Sequence, residues 1–69
     1  MKNNSENQDF FCHESSYVDD NVVVGLGTKI WHFSHVMKDC NIGENCIFGQ
    51  NVHIANGIHI SNFIKENNL

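Results

Sequence analysis

The stretch Ile30-Trp31-His32-Phe33-Ser34-His35-Val36-Met37-Lys38-Asp39-Cys40-Asn41-Ile42 places an apolar residue at 30, 36 and 42. Stepping back by six gives Val24, Val18 and Cys12, and stepping on gives Phe48, Ile54 and Ile60. Every one of these anchors is apolar. Four residues after them stand Ser16, Val22, Thr28, Ser34, Cys40, Cys46, Val52, Ile58 and Ile64, all small or β-branched. Directly after an anchor come Gly25, Gly43, Gly49, Ala55 and Ser61. No anchor and no fourth position carries a charged side chain.

A helix would repeat its apolar positions at three and four, and a simple strand would alternate briefly and stop. A strict period of six over nine units (9 × 6 = 54 residues) instead marks a hexapeptide parallel β-helix. Each hexad is one short strand plus a turn. Its anchor and its fourth residue point inward, where β-branched side chains suit a strand. The small residue after the anchor is expected at the corner. Three hexads make one triangular coil, so residue n stacks under residue n+18, with strands roughly 4.8 Å apart. The expected fold class is therefore all-β, a parallel β-helix of about three coils. Val24, Ile42 and Ile60 should share one inner line, and Val22, Cys40 and Ile58 another. The period alone leaves handedness open, since ordinary parallel crossovers are right-handed.

The ends break the pattern. Residues 1–11 form a polar tail that closes on Phe10 and Phe11, an expected aromatic cap. The repeat occupies 12–65. The next anchor would be Glu66, so residues 66–69 read as a tail and the helix as truncated, with an open strand edge.

With 69 residues there is no room for a second domain. Lys+Arg 4 against Asp+Glu 8 gives a net charge of -4, which argues against nucleic acid or an anionic membrane as partner. The polar N-terminus has no apolar core of a signal peptide, and no apolar run reaches membrane-span length. Cys12, Cys40 and Cys46 are odd in number and fit no disulfide framework, so free thiols in the cytoplasm are expected. All three take inward positions, which suits packing rather than thiol chemistry.

Three further segments add specificity: His13-Glu14-Ser15-Ser16-Tyr17-Val18-Asp19, Gly25-Leu26-Gly27-Thr28-Lys29-Ile30 running into Trp31-His32-Phe33-Ser34-His35-Val36, and Ile42-Gly43-Glu44-Asn45-Cys46 with Gly49-Gln50-Asn51-Val52. Together they resemble the N-terminal part of the nucleotide-sugar N-acetyltransferases of the left-handed β-helix superfamily. The resemblance is strongest to the UDP-2-acetamido-3-amino-2,3-dideoxy-glucuronate N-acetyltransferases. It implies a left-handed helix and acetyl-CoA as co-substrate, not tightly bound. It implies a nucleotide-linked 3-amino sugar as acceptor, and homotrimers with sites between subunits. The pathway implied is surface polysaccharide biosynthesis. Members of the family are longer, and their later coils hold most donor contacts, so this chain alone is expected to be inactive.

Within the resembling segments, Trp31 follows its anchor and should point outward, for packing on a neighbouring subunit or for stacking on a ligand. His35 and His53 differ by 18 and should sit on adjacent coils within roughly 5 Å. Such a pair suits phosphate binding, proton relay or metal ligation. His32 falls in the column between Glu14 and Gln50, with Phe33 and Asn51 beside it. His13 and His59 read as solvated or interface side chains. The substrate-facing candidates are Trp31, His32, His35, Gln50, Asn51 and His53. A neutral amine attacking a thioester needs positioning, an oxyanion donor and a final proton acceptor. No residue is assigned as catalytic base, and no metal site is assigned. Two other functions compete. One is a catalytically inactive remnant or assembly element. The other is a metal-dependent hydratase of the gamma carbonic anhydrase type, whose zinc needs three protein ligands.

Overall fold

In a computed structural model, residues 9–67 are described. They form ten two-residue strands and, among the described residues, no helix. The strands are β1 (Phe11–Cys12), β2 (Tyr17–Val18), β3 (Val23–Val24), β4 (Lys29–Ile30), β5 (His35–Val36), β6 (Asn41–Ile42), β7 (Ile47–Phe48), β8 (His53–Ile54), β9 (His59–Ile60) and β10 (Lys65–Glu66). Each anchor lies at the second position of a strand. Three parallel sheets result, in the orders β1-β4-β7-β10, β2-β5-β8 and β3-β6-β9. Every pairing joins residues 18 apart, such as Val24 with Ile42 and Ile42 with Ile60. The coil of three hexads expected from the period is thus the observed one, stacked about three turns high.

The core is the column of anchors. Ile30, Val36, Ile42, Phe48 and Ile54 are buried, with Cys12, Val18 and Ile60 partly buried toward the ends. Burial on the second inner line falls away upward: Val22 is 8% exposed and Cys40 2%, but Ile58 is 41%. Each coil is covered by the one above, and Ile58 lies in the uppermost complete one.

The fourth inward positions do more than fill space. Thr28 Oγ1 donates to the Gly43 carbonyl at 2.7 Å and accepts the Cys46 N–H at 3.1 Å. Ser16 Oγ donates to the Trp31 carbonyl and accepts the Ser34 N–H. Ser34 Oγ accepts the Val52 N–H at 3.1 Å. Cys40 and Cys46 donate through Sγ to the Ala55 and Ser61 carbonyls, at 3.0 and 3.1 Å. Backbone groups turned into the core at a corner need partners there, because burial without a hydrogen bond is costly. A small hydroxyl or thiol one coil below supplies them.

The corner itself is not where the small residues suggested. Gly25, Gly43 and Gly49 continue the ladder, donating to the carbonyls of Ile42, Ile60 and Glu66. The left-handed backbone falls three residues after the anchor, at Asn21, Gly27, Phe33, Asp39, Asn45, Asn51, Gly57 and Phe63. Six of these eight are Asn, Asp or Gly, the residues that tolerate positive φ. The small residue after the anchor answers another demand, the close stacking of successive coils. A Cβ on Gly25 would lie 2.6 Å from the Gly43 carbonyl carbon.

Candidate functional site

The outward faces of the coils present two separate groups. On the sheet β2-β5-β8, Tyr17, His35 and His53 are register partners. The His35 and His53 rings stand 6.1 Å apart, nearly perpendicular, and the Tyr17 ring is 5.6 Å from His35. Asp19 projects from the same face, two residues beyond Tyr17 along the ladder. It reaches diagonally to His35, with Oδ1 2.8 Å from Nε2. An ionised carboxylate only accepts hydrogen bonds, so Nε2 carries the proton in this pair. In the neutral ring, Nδ1 is then left with its lone pair. The side chains are 43% and 25% exposed, so the pair lies at the surface within reach of a ligand. Tyr17, Asp19, Asp20 and Lys38 line a shallow open depression beside it.

The second group occupies the corner between β4 and β5. Trp31 packs on Phe11 with centroids 5.0 Å apart and lies nearly parallel to His32 at 6.2 Å. The His32 ring is 4.1 Å from His13 and 6.3 Å from Phe33. His13 Nδ1 accepts the Ser15 N–H at 3.1 Å, and Ser15 Oγ accepts the Phe33 N–H at 2.9 Å. Phe33 is held at φ 55 and is 68% exposed. For a bulky residue that is an uncommon backbone state.

The six expected site residues are thus divided. Trp31 and His32 belong to the corner, and His35 and His53 to the sheet face. Gln50 and Asn51 are exposed one coil above His32 and Phe33. Asn51 is a left-handed corner residue, and its N–H donates to the His32 carbonyl at 2.9 Å. Sequence reading passed over Asp19, Tyr17, Phe11 and His13 as members of these groups. The signal for Asp19 was its separation of 16 from His35. Residues n and n+16 flank one anchor column diagonally on adjacent coils, so their outward side chains can meet. His59 stacks over Asn41 on the third sheet.

Among the described residues, no group of three His, Cys, Asp or Glu side chains is placed to hold a metal ion. None of the helices is long and apolar enough to cross a membrane, the described residues containing no helix. Cys40 and Cys46 are buried free thiols, and Cys12 is partly buried.

Parallel three-sided coils with a six-residue period, a small polar ladder inside and His-bearing outer faces define a left-handed β-helix of hexapeptide repeats. The chain belongs to the bacterial transferase hexapeptide (six repeats) family, whose pattern matches residues 21–56. That span contains β3 to β8 and both His35 and His53. No curated protein and no solved structure matches the chain.

Proposed function

We propose that the protein is an acyltransferase that moves an acetyl group from acetyl-CoA to the 3-amino group of a nucleotide-linked sugar, acting as a homotrimer in the cytoplasm and serving surface polysaccharide biosynthesis. Membership of a transferase family supports the class, and the resemblance of the Trp31–Val36 segment supports the finer reading. The observation that carries it is the His35–Asp19 pair, 2.8 Å apart on an outward face. Asp19 fixes the ring so that Nδ1 can accept a proton. The acceptor amine attacks the thioester carbonyl carbon, His35 takes one amine proton, the carbon–sulfur bond breaks, and the departing thiolate takes that proton from His35 to leave as the CoA thiol. Positioning of the two substrates supplies much of the rate, and proton transfer supplies the rest. Exposed Val23 and Leu26 on the neighbouring surface offer apolar area for a second subunit.

The test uses the protein as its gene encodes it, with residues 1–69 alone as a second sample. Thiol release from acetyl-CoA is followed with a 3-amino nucleotide sugar and with its 3-hydroxy counterpart. Release with the amine only, falling by about a hundredfold in His35→Ala, is the expected result. Residues 1–69 alone are expected to release none. No release from the whole protein, or an unaffected His35→Ala variant, would overturn the reading.

A further inference from the structure

The corner between β8 and β9 carries Asn56 followed by Gly57, and no other asparagine of the chain precedes a glycine. Both residues are exposed. Gly57 takes φ 72, with nothing within 4 Å of the position a Cβ would occupy. Among the described residues, the Asn56 amide has no hydrogen-bond partner. Asparagines of the other corners are engaged. Asn21 Nδ2 donates to Asp39 Oδ1 at 2.6 Å, and Asn62 Oδ1 accepts the Glu44 N–H at 2.8 Å. Asn45 Oδ1 and Asn67 Oδ1 fill the spaces over Gly27 and Gly49. The backbone is also held least tightly here. Gly57 N–H donates to the Lys38 carbonyl at 3.1 Å, whereas Gly27, Asn45, Asn51 and Phe63 donate to theirs at 2.9 Å. Asn56 lies in the uppermost complete coil, where few contacts oppose local opening.

We propose that Asn56–Gly57 is a site of spontaneous modification, at which the asparagine amide is lost through a cyclic imide. On local opening the Gly57 N–H leaves the Lys38 carbonyl and gives up its proton to base. The nitrogen then attacks Asn56 Cγ. The new N–Cγ bond closes a five-membered ring, the Cγ–Nδ2 bond breaks, and Nδ2 departs as ammonia after taking a proton from water. Water next opens the imide. Attack at Cγ breaks the new bond and leaves aspartate, while attack at the Asn56 main-chain carbonyl leaves isoaspartate, with the chain running through Cγ. The sum is amide plus water giving carboxylic acid plus ammonia, with no oxidant or reductant. Glycine favours the closure because its nitrogen has no β-carbon beside it and its backbone reaches unusual conformations readily. Either product puts a carboxylate at 56, in the column that runs Asp20, Lys38, Asn56 at separations of 18. Asp20 and Lys38 line the depression beside Tyr17 and Asp19, so the modification adds negative charge above it. The proposal stands independently of the acyltransferase reading.

The test incubates the full chain over days in heavy-oxygen water, at neutral and at mildly alkaline pH, with a urea-unfolded sample alongside. Peptide mapping by mass spectrometry locates the incorporated oxygen. An isoaspartyl-specific methylation assay separates the two products, and ion exchange follows the change in net charge from -4 to -5. Residue 56 should gain one heavy oxygen before any other asparagine of residues 9–67, faster at the higher pH, with isoaspartate among the products. Asn56→Gln should lose the signal at 56, since its longer side chain must close a six-membered ring. Gly57→Ala should slow it by on the order of tenfold, as a modest rise in barrier does. Labelling at 56 in the unfolded sample but not in the folded chain would overturn the proposal. So would another asparagine of residues 9–67 reacting ahead of Asn56, or equal rates in Gly57→Ala and wild type.

Discussion

Replacing Thr28 by Val is the sharpest test of how the coils are held together. The two side chains have nearly the same shape, so the packing of this buried position is conserved while the hydroxyl is lost. Thr28 is fully buried, and its Oγ1 serves both the Gly43 carbonyl and the Cys46 N–H. Each of these backbone groups would be left buried without that partner, at about 1–3 kcal/mol apiece. The added methyl returns about 0.8 kcal/mol. A net loss of about 3 kcal/mol lowers the Tm of so small a domain by about 12–24 °C. The reciprocal change is Val22→Thr, at the equivalent inner position. A hydroxyl there would face the Met37 carbonyl and the Cys40 N–H, 15 and 18 residues on, as Thr28 faces its own partners. Val22→Thr should change stability by less than about 1 kcal/mol, because the new bonds offset the lost apolar contact. Thermal and urea unfolding, followed by circular dichroism and by Trp31 fluorescence, measure both. A Thr28→Val variant within about 0.5 kcal/mol of wild type would refute the role given to the inner hydroxyls, since a lost bond leaves at least twice that.

Further outcomes follow from the same geometry. Gly25→Ala should destabilise strongly, by about 2 kcal/mol or more, because the new Cβ meets the backbone of Gly43 and Glu44 at 2.6–2.7 Å rather than a side chain that can move. Gly57→Ala meets nothing within 4 Å but sits at φ 72, so about 1–2 kcal/mol of backbone strain is its whole effect in an unfolding titration. Phe63→Asn should stabilise by about 1 kcal/mol, read as a rise in Tm, because Phe63 is 74% exposed at φ 62 and Asn tolerates that backbone. In acetyl-transfer assays of the whole protein, Asp19→Asn should lower kcat by about tenfold or more with little change in KM, since Asn no longer dictates which ring nitrogen of His35 is protonated. His59→Ala, on the third sheet, should have a much smaller effect than His35→Ala.

The sheet assignments, the 18-residue register and the buried identity of Ile30, Ile42 and Phe48 were legible because the six-residue period is a direct projection of the coil onto the chain. The corners were misread for a physical reason. Small size and positive φ are different demands that fall on different positions of the hexad. Glycine satisfies either, so Gly25 and Gly27 look alike in sequence. Only the recurrence of Asn, Asp and Gly from 21 to 57 separates them. Phe33 and Phe63 hide the period because neither residue type suggests a left-handed backbone.

The candidate site was legible by column and not by diagonal. Stepping by 18 places His35 under His53, and the structure keeps them in register. The contact that organises the histidine chemically lies off that column, between His35 and Asp19 at a separation of 16. Side-chain length decides the matter. Neighbouring coils are about 4.8 Å apart and alternate outward residues on one strand roughly 6.6 Å apart. Two imidazoles stacked in register cannot both lie flat between coils, and theirs meet edge to face at 6.1 Å. A tilted imidazole can instead span the diagonal to a short carboxylate. An outward His with Asp or Glu at n−16 or n−20 is therefore the arrangement to seek in a hexapeptide coil. The in-register His pair, more conspicuous in the sequence, fixes no tautomer and sets no proton.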